Sequence, residues 1–316
     1  MMRILVTGAT GFIGSNLSLT LAEKGYEVIG CGRAMPLDEH KSCFSRWYVK
    51  CIDAYTDWHD ALSGVDVVVH LAARAHVSNT SPAALAELTS VNVQGSLNLA
   101  RQASELGVKR FIFISSIKVN GDTILPGCAF SADSPVQPED AYARSKYEAE
   151  QGLQAIARQS GMEWLVIRPP LVYGVGVQAN FYRLVYAIKR GWPLPFAAVH
   201  NQRSLVSVVN LVDLIMHCLS HVAATNRVLL VSDGENWSTP ELIRLIAQGL
   251  AVTPRLFFVP VSWLEQFFSV LGQGALYQRL CGNLVVDMTK TCEDLAWRPV
   301  IQGHDAVLAT VARVLR

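Results

Sequence analysis

A chain of 316 residues suits one large or two modest domains, and with 51% of its residues apolar it can build a substantial core. Lys+Arg 27 against Asp+Glu 26 leaves a net charge of +1 with no basic or acidic run, which argues against nucleic-acid binding and a polybasic membrane anchor. Seven cysteines, an odd number with no C-x-x-C pair and no metal-like spacing with histidine, indicate a reduced, cytoplasmic compartment and no metal site.

Residues 3–7 are a short apolar run without a secretory leader ahead of it. The run feeds into Gly8, Gly11 and Gly14 and then into an apolar-periodic segment with Phe12, Ile13, Leu17 and Leu21, the pattern of strand, glycine turn and helix. In that context the triplet reads as a dinucleotide cradle. Gly8 permits the tight turn, Gly11 leaves the backbone open to a pyrophosphate, and Gly14 lets the helix close on the strand. Thr10, Phe12 and Ile13 lie in the same turn, where a helix N-terminus offers unpaired donors.

Residues 26–33 predict a second buried strand, ending where an adenosine ribose would lie. A site for NAD places Asp or Glu there to bind the 2′-hydroxyl, whereas a 2′-phosphate needs a cation. Gly32 and Arg33 stand at that strand end, which favours NADP(H), with NAD(H) as the alternative. A third strand is expected at 47–52, bringing Asp53 and Ala54 to the adenine edge. The fourth, at 65–71, is nearly continuous in apolar residues, as in a parallel strand covered on both faces, and ends in the small run Leu71, Ala72, Ala73.

A long helix is expected from about 82 to 106, through Asn92 and Gly95. A fifth strand at 111–114 delivers Ser115 and Ser116 at its carboxyl end. Tyr142 and Lys146, four apart, share one face of a helix running to about 159. A sixth strand at 163–168 is stopped by Pro169 and Pro170. This alternation predicts an α/β fold, a Rossmann-like doubly wound parallel sheet over 1–170 with ligands at its carboxyl edge.

From 171 onward Gly and Pro become frequent, and helices are expected near 180–190, 210–220, 239–250 and 288–296. Residues 171–316 read as a smaller, interleaved α/β substrate domain, with a return to the first domain near 203–232 and an extended segment at 227–231. The apolar stretch 256–276 is broken by Pro260, Glu265, Gln266 and two glycines, and reads as a buried helix pair rather than a membrane span, with peripheral membrane contact as the alternative.

Taken in order and spacing, Thr7 to Gly14 (T-G-x-x-G-x-x-G), His70-Leu71-Ala72-Ala73, Asn92-x-x-Gly95, Ser115-Ser116 and Tyr142-x-x-x-Lys146 resemble the extended short-chain dehydrogenase/reductase superfamily. The likeness is to its nucleotide-sugar branch of 4-epimerases, 4,6-dehydratases and keto-sugar reductases. It implies a catalytic set of Ser116, Tyr142 and Lys146. Tyr142 would be the general acid/base, Ser116 would orient the reacting oxygen, and Lys146 would hold the nicotinamide ribose. A free tyrosine has a pKa near 10, so work near pH 7 needs about 4 kcal/mol of phenolate stabilisation. Lys146 and an oxidised nicotinamide are the expected sources. The resemblance also implies cofactor contacts at Asn92, Ser115 and Pro169.

Ile117 and Lys118 stand where 4,6-dehydratases carry an Asp-Glu pair, so dehydration is not expected. Asn120 replaces a tyrosine found in many relatives. In the second half, Asn180 resembles an asparagine that contacts the sugar-nucleotide diphosphate, and the stretch from Leu194 to Phe196 resembles a strand that grips uracil. Arg203 opens R-x-x-x-x-V-x-N-L, resembling the segment whose arginine neutralises the diphosphate, with Asn210 in place of the usual aspartate and Arg279 as a second clamp. The whole pattern looks most like bacterial NADPH-dependent reductases of a UDP-linked 4-keto-6-deoxy-N-acetylhexosamine, serving lipopolysaccharide O-antigen or capsule. A UDP-sugar 4-epimerase with tightly bound NAD, acting on UDP-glucose or UDP-N-acetylglucosamine, is the alternative. A homodimer paired through the helices around 83–106 and 142–159 is also implied.

Overall fold

The computed structural model describes residues 1–75 and 81–314. The first half runs Arg3–Thr7 (β1), Phe12–Glu23 (α1), Glu27–Gly32 (β2), Asp38–Lys41 (α2), Arg46–Val49 (β3), His59–Leu62 (α3), Val67–His70 (β4), Pro82–Thr89 (α4), Ser96–Glu105 (α5), Arg110–Ile114 (β5), Ala141–Ser160 (α6) and Glu163–Arg168 (β6). The second half runs Leu171–Tyr173 (β7), Ala179–Lys189 (α7), Arg203–Ser207 (β8), Val208–Cys218 (α8), Arg227–Leu230 (β9), Asn236–Trp237 (β10), Thr239–Gly249 (α9), Val261–Val270 (α10), Gly274–Cys281 (α11), Thr289–Leu295 (α12) and Gly303–Val314 (α13).

Seven strands form a parallel sheet in the order β3-β2-β1-β4-β5-β6-β9. Successive side chains of a strand point to opposite faces, so the near-continuous apolar runs fill two cores at once. Ile4, Val6, Val67, Val69, Ile112, Ile114, Leu165 and Ile167 pack on one face with α1 and α8. Leu5, Val68, Phe111, Phe113 and Val166 pack on the other with Leu99, Ala103 and Leu153 of α5 and α6. The strand order reverses between β1 and β4, and their carboxyl ends open the crevice where doubly wound sheets bind ligands. A three-stranded sheet, β10-β8-β7, carries a third core that includes Phe181, Phe196, Ile243, Leu264, Phe268 and Val307.

Several expectations change in detail. The third strand ends at Val49 rather than at 52, and a turn held by the Asp53 carboxylate follows at 53–56. The helix expected over 82–106 is interrupted by a π-turn at Ser90–Gly95. The return segment is split: β8 joins the small sheet, α8 packs on α1, and β9 pairs with β6. Residues 256–276 do contain a helix pair, but it is not buried, since Trp263, Phe267, Val270 and Leu271 are exposed. Among the described residues no helix is long and apolar enough to cross a membrane.

Candidate active site

The glycine turn is closed as tightly as its sequence implied. Gly8 has φ +67°, and a Cβ there would lie 2.9 Å from the Ala72 nitrogen, so β1 and the loop after β4 touch through backbone alone. A Cβ on Gly14 would meet Ala9 Cα at 2.8 Å and the Gly8 carbonyl closer still. Gly11 caps α1 in extended conformation with no side-chain cap bond, and the first turn holds no acidic residue. The opening amides of α1, those of Phe12 and Ile13 among them, are thus left to an anion.

At the end of β2 the Trp47 ring fills the side-chain space. A Cβ on Gly32 would lie 2.9 Å from Trp47 Cζ2 and 3.4 Å from Thr10 Oγ1. The strand end therefore abuts the glycine turn, and no carboxylate fits at Gly32 while Trp47 holds this position. Arg33 follows, exposed. Asp53 differs from expectation: its Oδ1 accepts from the Tyr55 N–H at 2.9 Å, the Thr56 N–H at 2.8 Å and the Thr56 hydroxyl at 3.0 Å. Those donors, the Tyr55 amide foremost, hold its pKa below the ordinary carboxylate value. That oxygen is committed to the turn that contains Ala54.

Asn92 sits in the π-turn and is buried. Its Oδ1 accepts from the Arg74 N–H at 2.8 Å, and its Nδ2 donates to the Arg74 carbonyl at 3.1 Å and to Ser145 Oγ at 3.0 Å. Its amide thus ties the loop of Leu71, Ala72 and Ala73 to α6. Beneath that loop Thr7 Oγ1, His70 and Ser96 Oγ form a buried chain with contacts of 2.7 and 2.8 Å to the two ring nitrogens. Burial, and then the Lys146 charge, pull His70 down to about 3, so its imidazole is neutral.

Ser116 follows β5 in extended conformation. The Ile117 N–H donates to the Pro169 carbonyl at 3.0 Å, which pins the serine loop to the end of β6. Asp140 caps α6 by accepting from the Ala143 N–H at 2.7 Å, and Lys118 is ion-paired with Asp140 and, at 3.0 Å, with Asp122. Lys118 thus anchors the start of the helix that carries Tyr142 and Lys146. Lys146 Nζ donates to the Ile114 carbonyl at 2.8 Å and lies 4.4 Å from the centroid of the Phe113 ring. Burial brings its pKa down to about 7 against the opposing pull of Glu150. The Tyr142 phenol is pushed up to about 12, by desolvation first and by Asp140 second. The expected lowering by Lys146 is not among the causes of this shift.

Ser115 also differs. Its hydroxyl donates to Glu150, which is fully buried and paired with Arg168 through Nε at 3.0 Å and Nη2 at 2.5 Å. Arg168 Nη1 donates to Asn120 Oδ1 at 3.0 Å. Ser115 and Asn120 thus belong to an ion-pair network behind Ser116. Sequence reasoning missed this network and the Lys118–Asp140 pair. The signals were present as Glu150 one turn after Lys146 and as an aspartate two residues before Tyr142.

On the substrate side, Arg203 Nη1 donates to the carbonyls of Gln278 at 3.2 Å and Gly282 at 2.9 Å. Desolvation lowers its pKa to about 10, with Asp122 opposing and Arg279 reinforcing that shift. The two arginines therefore feel each other's charge, with Arg279 the exposed one. Leu194 and Phe196 are buried, and the Leu194 N–H and carbonyl bond the Arg255 carbonyl at 2.8 Å and the Phe257 N–H at 3.0 Å. Asn180 is exposed on the first turn of α7. Asn210 is buried: its Nδ2 donates to Asp233 Oδ1 at 2.7 Å and the Ile301 carbonyl at 2.8 Å, while its Oδ1 accepts from the Val300 and Ile301 amides.

Residues 4–231 match the NAD dependent epimerase/dehydratase family. The chain belongs to that family. It is an extended short-chain dehydrogenase/reductase enzyme, as its ordered motifs implied. It is 44% identical over 298 residues to the UDP-glucose 4-epimerase of Vibrio cholerae, covering 94% of this chain and 90% of that one. It is 31% identical to the N-acetyl-alpha-D-glucosaminyl-diphospho-ditrans,octacis-undecaprenol 4-epimerase of Escherichia coli O157:H7, over 78% of this chain and 72% of the relative. The crystal structure of Thermotoga maritima UDP-glucose 4-epimerase with UDP-glucose superposes with a TM-score of 0.79 at 25% identity, over 98% of this chain and 97% of that one.

Proposed function

We propose that this enzyme is a UDP-sugar 4-epimerase acting on UDP-glucose or UDP-N-acetylglucosamine. The observation that carries the reading is the 44% identity to a UDP-glucose 4-epimerase over nearly the whole chain. It is joined by a retained Ser116, Tyr142 and Lys146, and by the lack of any carboxylate at Ile117 and Lys118. This favours the epimerase over the keto-sugar reductase expected from sequence.

The uncapped glycine turn and the backbone contact between Gly8 and Ala72 suit a nicotinamide dinucleotide. When bound, the nicotinamide takes up and returns the hydride at carbon 4. Tyr142 takes the proton of the 4-hydroxyl during oxidation and returns it to the 4-oxygen once the sugar has presented its other face. Ser116 hydrogen-bonds that oxygen and fixes its approach. Lys146 binds the ribose hydroxyls. Gly8, Thr10, Gly11, Gly14 and the amides after them hold the pyrophosphate, while Asn92 and Pro169 act by fixing the loops that border the ring. Arg203, with Nε and Nη2 to offer, and Arg279 neutralise the diphosphate. Asn180 adds a polar contact, and the segment around Leu194 and Phe196 borders the base. Residues 1–170 would hold the cofactor and most of 171–316 the sugar nucleotide, in a cytoplasmic homodimer paired through α4, α5 and α6.

One observation favours a second reading. Gly32, blocked by Trp47 and followed by Arg33, suits a 2′-phosphate better than a free 2′-hydroxyl. A preference for NADP(H) would fit net reduction of a UDP-linked 4-keto sugar for O-antigen or capsule. In either case Tyr142→Phe is expected to lower kcat about a hundredfold or more while nucleotide binding persists. Near-normal turnover of the variant would remove Tyr142 from this role.

A further inference from the structure

All the Phe and Trp residues exposed on the surface, among the described residues, fall in one region: Trp192, Phe257, Phe258, Trp263 and Phe267. On α10 the buried side is Leu264 and Phe268, which enter the third core. Trp263, Phe267 and Val270 repeat at i, i+4 and i+7 with exposures of 67%, 59% and 86%, a second apolar stripe on the same helix that is left exposed by the described residues. Glu265 lies about 200° round the helix from Trp263 at 100° per residue. Its charge is felt by Tyr277 of α11, on the side away from the stripe.

The segment that leads into this helix meets a basic surface at the end of α7. The Leu194–Leu256 bridge lays the segment after α7 against 255–257, and a Cβ on Gly191 would lie 3.9 Å from Arg255 Nε. Tyr182 stacks on Tyr186, Tyr186 meets Trp192 edge-on, and Arg190 lies over the Tyr186 ring at 5.2 Å. No acidic residue occurs from 179 to 203, and Glu265 is the lone acid from 250 to 282, whereas Arg183, Lys189, Arg190 and Arg255 belong to these stretches. Aromatic side chains at the level of a cationic rim match the boundary of an anionic bilayer, where apolar rings enter the acyl edge and Lys and Arg meet the headgroups.

We propose that the face formed by α10, residues 255–258 and the end of α7 docks on an anionic lipid surface. The apolar stripe lies in the boundary plane, and Lys189, Arg190 and Arg255 contact the headgroups. The charge pattern commits the proposal to this occupant: a second copy would bring the same cations face to face, a repulsive arrangement unless acids intervene.

The test is flotation of the full-length protein with vesicles of equal phosphatidylglycerol and phosphatidylcholine, beside phosphatidylcholine alone. The protein should float with the anionic vesicles and be released by high salt. Trp263→Ser/Phe267→Ser/Val270→Ser and, separately, Lys189→Glu/Arg190→Glu/Arg255→Glu should each lower partitioning about tenfold or more. Both variants should keep the wild-type thermal transition, because these side chains lie outside the cores. No partitioning of the wild-type protein, or equal partitioning of the two variants and wild type, overturns the proposal. So does a wild-type oligomer that the triple serine variant dissolves in sedimentation velocity, since a second copy would then cover the stripe.

Discussion

In the proposed reaction the chemistry turns on Tyr142, and the chain by itself holds its phenol protonated. Burial raises the pKa to about 12 and Asp140 adds to the rise, while Lys146 is itself brought down to about 7. In the proposed reaction a positive nicotinamide beside the phenol would oppose that rise, which would couple acid/base competence to a filled site. Asp140 is the adjustable part, because it raises the phenol through its negative charge while capping α6. In Asp140→Asn the cap oxygen remains and the charge goes. The phenol should then ionise at lower pH, so the limb of the kcat profile that reports it moves toward acid. A pH profile superimposable on wild type would show that Asp140 does not tune Tyr142. The residue pattern Tyr142-x-x-x-Lys146 was legible in sequence, but the sign of the shift was not, because desolvation depends on packing that no spacing encodes.

At the scale of elements, the π-turn between α4 and α5 does what an uninterrupted helix would not. It inserts Asn92 between the Arg74 backbone and Ser145, and it brings Gly95 so close to β3's exit that a Cβ would lie 2.7 Å from the Asp53 nitrogen. Gly95→Ala must push the turn away from backbone that has no room to give, with an expected cost of about 1–3 kcal/mol in chemical denaturation. A change below about 0.5 kcal/mol would mean the contact relaxes freely. Five of the six expected strands of the first half were readable because buried parallel strands are nearly continuous apolar runs, whereas the edge strand β3 is half exposed and showed itself by its aromatic and β-branched residues. The π-turn was not, since Asn92 and Gly95 break no helical period. Helix α10 misled for a related reason: its apolar residues repeat on two faces, and sequence alone does not say which face is covered.

At the scale of the whole molecule, the two sheets are joined through a buried carboxylate. Asp233 accepts from the Tyr173 hydroxyl at 2.7 Å, from the Ser207 N–H at 2.8 and 3.0 Å, and from Asn210 Nδ2 at 2.7 Å, so β7, β8, α8 and the chain after β9 meet at one group. Burial still holds its pKa above the ordinary value. Asn210, where the family resemblance implied an aspartate, is there a donor to Asp233. Tyr173→Phe removes one donor and should lower stability by about 1–2 kcal/mol within a single cooperative transition. Two separated transitions would mean that the sheets unfold independently.

The central claim is reversible redox chemistry at carbon 4 of a UDP-sugar, and proton NMR of purified enzyme with UDP-glucose or UDP-N-acetylglucosamine, without added reductant, tests it most directly. The 4-epimer should accumulate to equilibrium with no net cofactor consumption, and Tyr142→Phe should abolish it. No epimer, together with stoichiometric loss of NADPH when a UDP-linked 4-keto-6-deoxy-N-acetylhexosamine is supplied, would contradict the epimerase and make the enzyme the reductase that Gly32 and Arg33 suggest.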